Sequence, residues 1–141
     1  MIKQNFTPLK SKLLIVEDDY LIASQMKWAL AKDYEVFLAE NREKAIEVFE
    51  QEKPPVVTLD LGLPPHPSEP DEGFETLKEM IGIDSFAKII IITGQDEKSN
   101  ALRAIGLGAY DFFCKPIQIE ELKVVLSRAF YLSGLEREYR E

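Results

Sequence analysis

"KLLIVEDDY" occupies Lys12–Tyr20, and its reading decides the fold. Leu13–Val16 are apolar and run straight into Glu17, Asp18 and Asp19. The apolar half reads as a strand. The acids are the difficulty. Two carboxylates about 4 Å apart repel by roughly 4 kcal/mol at an effective dielectric near 20. Either these acids point into water, or something positive sits among them.

Outward from this stretch, apolar runs alternate with helix-period segments. Tyr20–Ala31 places Ile22, Met26, Ala29 and Leu30 on one helical face. Tyr34–Leu38 reads as a short strand, and Asn41 can cap a helix whose stripe is Ala45, Val48 and Phe49. Pro54–Pro55 break the chain before Val56–Leu59, a run that ends at Asp60. Ala87–Ile92, AKIIII, suits a strand buried on both faces. Asp96–Ile105 reads as a helix ended by Gly106 and Gly108, Tyr110–Phe113 as a last strand, and Ile119 onward as a last helix. Strict β-then-α alternation predicts an α/β fold, a parallel sheet covered by helices on both faces and joined by right-handed crossovers. Leu61–Phe74, LGLPPHPSEPDEGF, breaks the rhythm and reads as a long, stiff, proline-rich loop. Trp28 reads as helix packing, Cys114 as a small buried hydrophobe and His66 as an exposed loop residue.

Composition narrows the function. A length of 141 residues fits one domain. The formal net charge of -8 repels phosphate backbones, so direct nucleic-acid binding is not expected. Cys114 is the single cysteine and His66 the single histidine, which excludes an internal disulfide, a cysteine metal site and any Ser-His-Asp triad without His66. The first residues lack the apolar core of a signal peptide, and no apolar run is long enough to span a membrane. A cytoplasmic protein without membrane contact is the expectation.

In open parallel sheets, function collects at the carboxyl ends of the strands. Those ends carry Glu17, Asp18 and Asp19, then Asp60, then Thr93 before Gly94, then Lys115 before Pro116. Clustered oxygen ligands suit Mg²⁺. A carboxylate can attack a phosphoryl group, and such transfer needs mainly positioning and charge neutralisation. Asp60, central among the strand ends, is the best nucleophile.

The four motifs IVEDD, VTLDLGLP, IITG and FFCKP, in this order, resemble the receiver domains of two-component response regulators. The resemblance runs from Lys12 to about Leu132 and implies a CheY-like, flavodoxin-like sheet of five parallel strands in order 2-1-3-4-5 with five helices. It implies a signalling switch rather than a turnover enzyme, with Asp60 as the phosphoacceptor charged by a histidine kinase or phosphotransfer protein. Mg²⁺ would be held by Asp18, Asp60 and the Gly62 carbonyl, with Glu17 acting through water. Asp19 would instead begin the first helix, where negative charge is favourable. Thr93 matches the switch hydroxyl, Lys115 the phosphate-binding lysine before a cis proline bond, and Phe112 the aromatic switch position. The response would appear on the face of the fourth helix, fifth strand and fifth helix. Two departures stand out. The loop after Asp60 carries roughly five residues more than the usual pattern. Gly62 stands where larger side chains are common, which would open the phosphoryl group to water.

The expected organisation is an N-terminal extension (1–11), a receiver domain (12–132) and a continuation of the last helix, or a linker to an output domain outside this chain (133–141). Val125, Leu132, Leu135 and Tyr139 form an a/d-like seam suited to a homodimer contact, although Gly134 weakens its continuity. The pattern also resembles receivers of sigma54-dependent transcription activators. A stand-alone receiver is the alternative. A phosphatase of the haloacid dehalogenase type, or a Toprim-type metal site, would need a further aspartate where Gly62 stands. A degenerate receiver used only for binding would not need the full set of acids, Thr93 and Lys115.

Overall fold

Ser11–Val16 form the first strand, β1, and its residues alternate between two separate cores, as the two-residue period of a strand requires. The structure is a computed structural model and describes residues 9–140. The elements that follow are α1 (Tyr20–Leu30), β2 (Tyr34–Ala39), α2 (Arg42–Glu52), β3 (Val56–Asp60), α3 (Asp71–Ile83), β4 (Lys88–Thr93), α4 (Lys98–Gly106), β5 (Asp111–Cys114) and α5 (Ile119–Arg140). All pairings are parallel and the order is β2-β1-β3-β4-β5, the expected doubly wound sheet.

On one face, Leu14, Val57, Leu59 and Ile91 pack against Phe49 of α2, Phe74 and Leu77 of α3, and Ala104 of α4. On the other, Leu13, Ile15 and Ile90 meet Met26 and Leu30 of α1 and Leu122 and Leu126 of α5. The central strands β3 and β4 are buried along their whole length. Their burial explains why AKIIII carries no polar alternation. Val16 pairs with Leu59, Asp60 with Ile92 and Thr93 with Cys114, so the strands end level with one another at the carboxyl edge.

Asn41 caps α2 as expected, and Asp19, expected to begin the first helix, is its N-cap. The Asp19 carboxylate accepts from the Leu21 and Ile22 amides, and the Asn41 side chain accepts from the Lys44 amide at 2.8 Å.

Other expectations need correction. Asp71–Phe74 is not loop but the first turn of α3. Asp71 and Glu72 suit a helix N-terminus, and the Phe74 amide donates to the Pro70 carbonyl at 2.9 Å. As expected, the helix ends at Gly106, the last residue of α4, and the turn out of it is made at Gly108, with φ +116°. The segment before α4 tightens into a 3₁₀ turn, Gln95–Glu97, rather than starting the α-helix at Asp96. Trp28 is 86% exposed, because α1 buries Ala23, Met26 and Leu30 and Trp28 projects from the opposite side. Cys114 is only partly buried, since β5 is an edge strand.

Of the two expectations for the tail, α5 continues as helix through Gly134 to Arg140, and Leu135 and Tyr139 of the expected seam are exposed. The Glu136 carboxylate accepts from the Lys88 ammonium at 2.6 Å, which ties the helix beyond Gly134 to the start of β4.

Candidate functional site

Four strand ends build one cleft of about 280 Å³. β1 delivers Glu17 and Asp18, β3 delivers Asp60, β4 delivers Thr93, and Lys115 follows β5. The sequence brings them here because each apolar strand must stay in the sheet, so the polar residues at its carboxyl end fall at the same edge.

Lys115 Nζ donates to Asp60 Oδ2 at 2.6 Å and lies 3.6 Å from Glu17 Oε1. Asp60 Oδ1 accepts from the Gly62 amide at 2.8 Å. Glu17 Oε2 accepts from the Asp19 amide at 3.1 Å. Both Glu17 and Asp60 are buried, so their mutual repulsion is only weakly screened. Burial, followed by the hydrogen bond with Asp60 and its charge, pushes the Glu17 carboxyl up to about 8. Burial pulls the Lys115 ammonium downward, but its hydrogen bond to Asp60 and the charges of Asp60 and Glu17 outweigh that and hold it above the ordinary lysine value.

Thr93 is 3% exposed, and its Oγ1 has no hydrogen-bond partner among the described residues. An unpaired buried hydroxyl costs about 1–3 kcal/mol and calls for an explanation. Glu17, Asp18 and Asp60 each offer a carboxylate oxygen, and these lie within 4.8 Å of one another. Such a donor set fits a hard divalent cation of the Mg²⁺ type, which would also offset the burial and the Asp60 charge that raise the Glu17 carboxyl.

Each predicted residue has a definite place. Glu17, Asp18, Asp60, Gly62, Thr93 and Lys115 line the one cleft. Phe112 stands apart from it, half-buried against the core that α2, α3 and α4 cover. The Lys115–Pro116 bond is cis. Two residues that sequence reasoning did not single out, Pro67 and Glu97, also line the cleft. Neither belongs to a strand end, so no strand-end reading could have found them.

Comparison with known proteins gives the family. The family described as response regulator receiver domain matches residues 13–127. The regulatory protein AtoC of Escherichia coli K12 is 29% identical over 92% of this chain, which spans 27% of that protein. The chemotaxis protein CheY of Listeria monocytogenes is 32% identical over 84% of this chain, here spanning 97% of the relative. The crystal structure of NtrX from Brucella abortus superposes with a TM-score of 0.83 at 27% identity, covering 94% of this chain and 30% of that one. This chain belongs to the receiver domain family of two-component response regulators.

Proposed function

We propose that this chain is a phosphorylation-dependent switch in which Asp60 accepts a phosphoryl group from a histidine kinase or phosphotransfer protein. The observation that carries this is the convergence on Asp60: an ammonium at 2.6 Å, two further carboxylates, and in the same cleft a buried threonine hydroxyl without a partner among the described residues. In the reaction an Asp60 carboxylate oxygen attacks the phosphorus of a phosphohistidine. The P–N bond breaks and its electron pair leaves with the imidazole. The Lys115 ammonium balances charge on the phosphoryl oxygens, and the Thr93 hydroxyl turns inward to donate to one of them. Asp18, Asp60 and the Gly62 carbonyl would hold Mg²⁺, with Glu17 behind a water. Bound there, the ion neutralises the acids and the incoming phosphoryl group.

Movement of Thr93 vacates space at the end of β4. Phe112 then turns inward, and the face of α4, β5 and α5 shifts between two packings. We read residues 1–11 as an extension, 12–132 as the receiver and 133–141 as the continuation of α5. The chain spans under a third of AtoC and of NtrX, which supports a C-terminal output domain, in transcription regulation, as the target of the switch. Its match to nearly all of CheY keeps a stand-alone receiver as the second reading. Cytoplasmic placement and a homodimer contact belong to the same proposal. No helix among the described residues is long and apolar enough to cross a membrane.

The test is intact mass after incubation with acetyl phosphate and Mg²⁺. One added phosphoryl group is expected, and none on Asp60→Asn. Absence of added mass on the parent chain, or steady phosphate release from small phosphoesters, would overturn the reading.

A further inference from the structure

The loop between β3 and α3 closes over the cleft in a specific way. A Cβ added at Gly62 would lie 2.3 Å from the Pro67 carbonyl oxygen and 3.6 Å from Asp60 Oδ1. The main chain of Pro67 therefore occupies the place that a side chain at position 62 would fill, a place that itself borders the acceptor carboxylate. Pro67 also lines the same cleft as Asp60, Thr93 and Lys115.

The loop is held in this position from both ends. Leu61 and Leu63 are buried in the core and anchor its start. A Cβ added at Gly73 would lie 2.3 Å from Leu61 Cα, so the first turn of α3 rests directly on the start of the loop. Between these anchors the Glu69 amide donates to the His66 carbonyl at 2.9 Å, closing a four-residue turn with Pro67 at its second position. Proline there has its φ pre-set, and this limits the directions its carbonyl can take.

We propose that the turn His66–Glu69 is a fixed wall of the cleft, with the Pro67 main chain replacing the missing side chain at position 62. It lengthens the life of a phosphoryl group on Asp60 by keeping water from the phosphorus. This rests on the phosphorylation reading above. The step it restrains is hydrolysis: a water oxygen attacks phosphorus, the bond to the Asp60 oxygen breaks, the carboxylate is regenerated, and inorganic phosphate leaves with a proton released to solvent. On this proposal the wall takes the part of a side chain at position 62, against the expectation that Gly62 leaves the group open. Gly62 has no side chain because the loop needs that space.

The experiment loads the chain from acetyl phosphate and Mg²⁺, removes the donor, and follows loss of the phosphoryl mass with time. Two variants are compared with the parent. One deletes residues 65–69, and Gly62→Ala drives a methyl group into the Pro67 carbonyl. Both are expected to lose the group on the order of tenfold faster, about 1.4 kcal/mol in barrier. The double variant should be no faster than either single one, because all three remove the same wall. If the deletion fails to fold, as read by circular dichroism, Gly62→Ala alone decides the matter. Loss at the parent rate, or slower loss, overturns this proposal while leaving the phosphorylation reading intact. A parent chain that never gains the phosphoryl mass overturns both.

Discussion

Glu17 is a carboxyl that the fold keeps protonated near neutral pH, and the consequence is a stability that depends on pH. Its unfolded value is the ordinary 4.5, and its folded value is about 8. Between these the folded state binds a proton that the unfolded state has lost. Its contribution is fully present below about 4.5 and is lost as pH rises through about 8. Urea unfolding in a chelator should therefore give a lower midpoint at pH 8 than at pH 5, with the difference much reduced in Glu17→Gln. Binding of Mg²⁺ at pH 7 should release a proton, measurable by calorimetry in buffers of different ionisation enthalpy. Two buried threonines make a second test at this scale. Thr58 and Thr93 both carry a hydroxyl with no partner among the described residues. Thr58 is in the middle of β3, and Thr93 lines the cleft. Thr58→Val should raise stability by about 1 kcal/mol and leave phosphoryl uptake unchanged. Thr93→Val should be equally well tolerated by the fold but slow uptake from acetyl phosphate.

At the scale of elements, α5 is the case where a local signal misled. Gly134 has a weak helix propensity and weakens the expected continuity, although the charged end suits exposed helix. The helix nevertheless continues to Arg140. Lys88 is nearly buried at the start of β4 and meets Glu136 at 2.6 Å, two residues beyond Gly134. Glu136→Ala leaves that ammonium without its partner and should cost about 2 kcal/mol, between an exposed and a fully buried pair. The paired change Lys88→Met with Glu136→Leu should be close to neutral. Thermal melts of the three chains check both statements. α3 shows the reverse dependence. Its start is written locally in Asp71 and Glu72, but its placement needs Gly73. Gly73→Ala would press a methyl group onto the Leu61 backbone and should cost about 2 kcal/mol or more, read from urea midpoints.

At the scale of the whole molecule, one sheet is shared by two cores, so helices on opposite faces should unfold together. Far-ultraviolet circular dichroism should report one transition. Trp28, the single tryptophan, is already exposed, and its emission maximum should barely move across that transition. A large red shift would mean that α1 buries it in solution.

Much of this architecture was legible in the chain. Alternating apolar periods, a cap at Asp19 and another at Asn41, and acids at strand ends follow from local chemistry, because a strand must bury its apolar residues and a helix must satisfy its first amides. The grouping of Glu17, Asp18, Asp60, Thr93 and Lys115 follows from parallel order alone. The sequence by itself thus determined the five β-α units, the edge at which polar groups collect, and the strand-end residues of the cleft. Only the tertiary structure decided that Lys115 pairs with Asp60, that Trp28 faces water, that Glu136 holds α5 to β4, and that Pro67 fills the space beside Gly62. Each of these depends on a contact between residues far apart in the chain or on which side of a helix meets the sheet, and a one-dimensional pattern carries neither.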